Sequence, residues 1–113
     1  MNLEDFFDIE GTYEYENGVY NVKGNVSLVE HVDKLPFKFG KVTGYFDCSS
    51  NFITTLEGCP THVSGHFYCN ENNLTSLKGA PKHVYRSLYC HSNSLTTLEG
   101  SPTQVGGSFY CTM

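Results

Sequence analysis

A mainly β solenoid, with one short parallel strand per 21-residue repeat and an N-terminal β-hairpin cap, is the fold this sequence predicts. Three observations carry it. Cys48, Cys69, Cys90 and Cys111 stand 21 residues apart. Two places before each comes an apolar residue (Phe46, Phe67, Leu88, Phe109), a period-two pattern that turns both side chains to one face of a strand. Each full copy then carries a Gly and, two places on, a Pro (Gly58 and Pro60, Gly79 and Pro81, Gly100 and Pro102), which ends a regular element and turns the chain back. A unit this small cannot bury its own core and must stack on the next.

The copies run 45–65, 66–86 and 87–107, with a partial copy at 108–113. Within each, Asn follows the cysteine by three residues (Asn51, Asn72, Asn93), a place suited to a side chain that bonds free backbone groups in a turn. Two apolar positions come next (Ile53, Leu74, Leu95, then Leu56, Leu77, Leu98), and Val63, Val84 and Val105 close the core pattern. Each repeat therefore reads as a strand, a turn and an extended return.

Residues 24–44 form a degenerate first repeat, in which Val26, Leu28, Val32, Leu35 and Val42 fall near the core places, His31 stands around the Asn position and no Cys occurs. Residues 1–23 form the cap. There Asn17-Gly18 lies between alternating apolar and polar residues, a strong hairpin signal. The opening NLEDFFDIE suggests a helical turn. At the other end the sequence given stops at Met113 without an Asn turn or a polar capping repeat. A shortened chain, a tolerated frayed end and a subunit contact each account for that, since uncovered strand edges invite pairing.

The pattern F-x-C-x-x-N-x-L resembles the leucine-rich repeat core LxLxxNxL with Cys at the second apolar site. The short repeat and its Pro-containing return resemble the short bacterial type. The phrasing LTSLxGxPxxVxGxFYC resembles small leucine-rich-like repeat proteins of tailed phages, over residues 24–113. The resemblance implies a leucine-rich-repeat-like β-solenoid and, for function, a protein that binds a host protein in the host cytoplasm.

Composition narrows the partners. Net charge is −5, and Glu4, Asp5, Asp8, Glu10, Glu14 and Glu16 precede the first Lys or Arg, so no basic face for nucleic acid is expected. No apolar run suits a membrane span or signal peptide, and the expectation is a cytoplasmic protein. Neither a metalloprotease motif, nor a phosphate loop, nor a serine with a His and Asp placed to activate it is found. The expectation is no catalytic residue, no cofactor and no metal.

The laddered cysteines read as small buried hydrophobes, because in-register neighbours resist disulfide geometry and a row of thiols cannot surround zinc. Cys59 matches Ala80 and Ser101 in the other copies, so it falls outside the ladder and is the candidate reactive thiol, with filler the blander alternative. A zinc site from His66, His91 and Asp47 lacks ligand spacing, and metal binding by Cys59 with the histidines is the weakest functional alternative.

The residues flanking the core positions of each strand face outwards. They include Tyr45 and Asp47, then His66, Tyr68 and Asn70, then Tyr89 and His91, then Tyr110, and Tyr68, Tyr89 and Tyr110 share one repeat position. Tyrosine supplies rigid amphipathic contact area and Asn and His adaptable hydrogen bonds, so these eight residues are the expected partner-binding surface. Strand propensity alone also places tyrosine there. The predicted function is a non-catalytic protein–protein interaction module that binds and inhibits a host protein through this Tyr-rich face. The alternative is a structural subunit that self-associates as a homo-oligomer through Tyr110, Cys111, Thr112 and Met113.

Overall fold

The computed structural model describes residues 2–112. A single 3-10 turn, Leu3–Asp5, opens the chain, held by the Asn2 N–H donating to the Asp5 carboxylate at 3.0 Å. A long hairpin follows, β1 (Phe7–Glu16) and β2 (Val19–Leu28), paired antiparallel throughout. Asn17 and Gly18 at its tip have φ of 54° and 83°, the left-handed pair that a two-residue turn between twisted strands requires. The rest of the chain winds into stacked coils, a parallel β-solenoid. β3 is Phe39–Val42, β4 Phe46–Asp47, β5 His62–Val63, β6 Phe67–Tyr68, β7 His83–Val84, β8 Leu88–Tyr89, β9 Gln104–Val105 and β10 Phe109–Tyr110.

Two ladders run along the stack. The front ladder is β2-β4-β6-β8-β10, and the return ladder is β2-β3-β5-β7-β9. The expected strand at each apolar-x-Cys triplet is present; the return segment adds a second, two-residue strand that the sequence did not signal. β2 belongs to both ladders. Its first half pairs with β3 (Val22 with Val42) and its second half with β4 (Val26 with Phe46), so the hairpin lies across the end of the stack. The boundary expected at residue 24 therefore falls inside one continuous strand.

What lets β2 turn this corner is a pair of facing glycines. Gly11 and Gly24 are register partners with φ of 133° and 142°. A Cβ on Gly11 would stand 2.1 Å from the Lys23 carbonyl oxygen, and one on Gly24 would stand 1.8 Å from that of Glu10. Only glycine fits either place.

Between the ladders lies the core, in columns one rung apart. Val26, Phe46, Phe67, Leu88 and Phe109 form one, and Val22, Val42, Val63, Val84 and Val105 another. Cys48, Cys69 and Cys90 are fully buried, as are Ile53, Leu56, Leu74 and Leu77. Phe46 and Phe67 stack with centroids 5.9 Å apart and planes 16° apart, as in-register phenylalanines must. At the cap, Phe7 packs edge-on against Phe39 at 5.0 Å and so roofs the first coil.

The asparagines stitch the coils together. The Asn72 Oδ1 accepts the Ile53 N–H at 3.0 Å, and its Nδ2 donates to the carbonyls of Cys48 at 2.9 Å and Cys69 at 3.2 Å. Asn93 repeats the pattern one coil on, with Leu74, Cys69 and Cys90. Asn51 accepts from Val32 at 2.9 Å. His31 does not take this part in the first coil: it is exposed, with its ring 5.9 Å from Phe52.

Candidate functional site

The front ladder sets out its outward side chains in columns. In the first, strand register aligns Asp8, Ser27, Asp47, Tyr68, Tyr89 and Tyr110. Parallel in-register pairing repeats each position about 4.8 Å along the stack, and planar rings at that spacing lie face to face. Tyr68 and Tyr89 stack at 4.7 Å with planes 13° apart, and Tyr89 and Tyr110 at 4.7 Å with planes 14° apart. Tyr68 and Tyr89 are partly buried by this stacking, while Tyr110 at the end of the row is 46% exposed. Burial, the neighbouring Tyr89 and the carboxylate of Asp47 push the Tyr68 phenol above its usual range. Asp47 itself is oriented by Ser49, whose N–H donates to its Oδ1 at 2.9 Å and whose hydroxyl does so at 2.6 Å.

A second group flanks the tyrosines on one side. Tyr45 meets Tyr68 edge-on at 6.2 Å, and its hydroxyl donates to Glu10 Oε1 at 3.2 Å. His66 stands 5.9 Å from Tyr68 and 5.8 Å from Tyr89. Its Nδ1 accepts the Ser87 N–H at 3.1 Å, which leaves Nε2 as the ring's free donor. On the other side stand Asn70 and His91. The His91 ring is 6.4 Å from Tyr89, and the Asn70 Nδ2 reaches Glu71 at 3.5 Å. The Asn70 Oδ1 is buried and has no hydrogen-bond partner among the described residues.

The structure thus brings Tyr45, Asp47, His66, Tyr68, Asn70, Tyr89, His91 and Tyr110 onto one surface. Sequence reasoning missed Asp8 and Glu10 there. Their signal is the hairpin register, which pairs Asp8 with Ser27 and Glu10 with Asn25, the heads of the two columns.

Cys59 is only 7% exposed and lies against the Cys48 thiol, so burial first and that neighbour second push its pKa well up. Both effects favour the filler reading of Cys59 over the reactive one, and it stands outside the column of Cys48, Cys69 and Cys90 as expected. Cys111, on the last rung, is the partly exposed cysteine. Among the described residues no three or more His, Cys, Asp or Glu side chains converge as metal ligands.

The last rung also holds Tyr110 and Thr112, both exposed, beside Leu98, which is 51% exposed although its equivalents Leu56 and Leu77 are fully buried. Leu95, Thr96, Thr97, Leu98 and Cys111 line a shallow groove of about 150 Å³ there. Met113 lies outside the described residues. Among the described residues no helix is long and apolar enough to cross a membrane. No protein family model, curated protein or solved structure matches this chain.

Proposed function

We propose that this protein is a non-catalytic binding module that docks a protein partner on its front face, and that the partner is a host protein whose activity it inhibits in the host cytoplasm. The observation that carries the reading is the column of Tyr68, Tyr89 and Tyr110, stacked at 4.7 Å. Rings held by their own ladder lose little side-chain freedom on binding, and buried tyrosines are frequent anchors of protein interfaces. The resemblance of the repeat to short bacterial leucine-rich repeats and to phage repeat proteins supports the host setting.

Capture from a bacterial lysate tests it. Tyr89→Ala and the triple change with Tyr68→Ala and Tyr110→Ala should weaken the captured complex by ~2 kcal/mol or more per anchor while the circular dichroism spectrum is kept. A partner retained by the folded triple variant sinks the reading.

A second reading rests on Leu98 and the groove beside Cys111: self-association through the last rung, by Tyr110, Cys111, Thr112 and Met113. Light scattering decides it, because a monomer at high concentration counts against this edge as a subunit contact.

A further inference from the structure

The front face carries charge of one sign only. Asp8 and Asp47 stand in the tyrosine column, Glu10 holds Tyr45, and Glu71 lies beside Asn70. No Lys or Arg occurs in these columns. Among the described residues the single ion pair is Lys78 with Glu99, so none of the four carboxylates is neutralised within the chain. The carboxylate oxygens and the unpartnered Asn70 Oδ1 add acceptors that seek a donor. The opposite face differs: Lys41, His62, His83 and Gln104 form its column, and Tyr85 stacks on His83 at 3.8 Å.

We infer that the partner of the front face presents a basic segment, and that arginine is its preferred side chain. The inference rests on the protein-binding reading above and names the chemistry of that partner. A neutral or acidic surface docked here would take carboxylates out of water without counter-charge, which opposes binding. A guanidinium removes that cost, because its fork of donors matches a carboxylate, and its plane can lie on the exposed Tyr110 ring. An ammonium supplies the charge without the fork or the plane. The unneutralised field also steers a basic partner inward, so association slows as salt rises.

The test uses the full chain and three amidated twelve-residue peptides alternating Gly with Arg, Lys or Glu, followed by fluorescence anisotropy. Asp47→Asn with Glu71→Gln removes two charges from the face. Glu14→Gln with Glu16→Gln removes two from the hairpin tip and leaves the same net charge. The Arg peptide should bind the unaltered protein, lose tenfold or more in the first double variant and less than twofold in the second. The Lys peptide should bind several-fold more weakly, and the Glu peptide not at all. Should Asp47→Asn with Glu71→Gln unfold the chain, Asp8→Asn with Glu10→Gln gives the same comparison. Equal losses in face and tip variants would mean attraction to net charge alone and would overturn the inference, as would equal binding of Arg and Lys peptides.

The lysate experiment separates this inference from the reading beneath it. A partner that depends on Tyr89 yet ignores both Asp47→Asn with Glu71→Gln and a rise to 300 mM salt overturns the basic partner and leaves protein binding standing. Growth of particles with protein concentration, reversed by Lys41→Glu on the opposite face, would identify a second copy of the chain as the basic surface and overturn a separate partner.

Discussion

Asn72 and Ile53 are joined between coils: the buried Ile53 N–H donates to the Asn72 Oδ1 at 3.0 Å. The same amide donates to the carbonyls of Cys48 and Cys69, so one side chain completes the backbone pairing of two adjacent turns where neither ladder reaches. A solenoid gains most of its stability from contacts between neighbouring repeats. Asn72 supplies the polar part of such a contact and the columns supply the apolar part.

Replacing Asn72 by Ala should cost roughly 3 kcal/mol, because the Ile53 N–H and the Cys48 carbonyl are then left buried without partners at 1–3 kcal/mol apiece. Asn51→Ala should cost less, since Asn51 donates only to its own coil's Ser49 carbonyl, at 3.2 Å. Urea unfolding of both variants checks the ranking. A loss below ~1 kcal/mol for Asn72→Ala would show that water satisfies these groups.

The hairpin corner predicts a different contrast. Alanine at Gly24 places its Cβ against the Glu10 carbonyl, and alanine at Gly18 meets nothing within 4 Å but still takes φ near 83°. Gly18→Ala should therefore cost only the left-handed backbone term, ~1–2 kcal/mol. Gly24→Ala should cost more and expose the amides of β1 and the first half of β2 to hydrogen exchange, because the corner must open for the methyl. Equal melting temperatures for the two variants would contradict the corner.

The fold was legible where the sequence repeats a physical constraint. Phe67 and Cys69 alternate around Tyr68, so strand, core side and outward side follow together, and Asn72 recurs because the turn needs its amide. His62-Val63 was not legible as a strand, since two residues between Pro60 and Gly65 offer no alternation to read. The full length of β2 was hidden by Gly24, which looks like a breaker and is the hinge of a continuous strand. For the site, Tyr68 and its column could be placed from register alone. Asp8 and Glu10 could not be placed without knowing that the hairpin pairs along its whole length. For Cys59 the small residues at the equivalent places, Ala80 and Ser101, left filler and reactive thiol both open, and only its burial separates them.

The phenylalanine column offers a graded test. Leu88 stands where Phe46 and Phe67 do, and all three are fully buried. Phe67→Leu keeps an apolar side chain of a kind the column already holds and should cost ~1–1.5 kcal/mol, whereas Phe67→Ala should cost ~3–5 kcal/mol through the cavity it leaves. Thermal unfolding followed by circular dichroism reads both, and comparable losses would mean that the Phe46 to Phe67 stack, more than volume, sets the energy.

The buried thiols predict how stability changes in alkali. In the folded chain Cys90 is pushed up from 9.0 to about 12, chiefly by burial, with Cys111 beside it adding to the effect, and burial raises Cys69 in the same direction. In the unfolded chain each thiol loses its proton near the ordinary value. Between that value and about 12 the folded state holds the extra proton, so unfolding releases protons and stability falls as pH rises. The contribution is complete below pH ~9 and declines above it by at most ~1.4 kcal/mol per pH unit for each such thiol. Cys90→Ala should cost stability at pH 7 and flatten the decline above pH 9. In the native protein at pH 8 a thiol reagent should modify Cys111 first, with the other cysteines reacting only after unfolding. Rapid labelling of Cys59 or Cys90 in the folded chain would show that the stack opens locally.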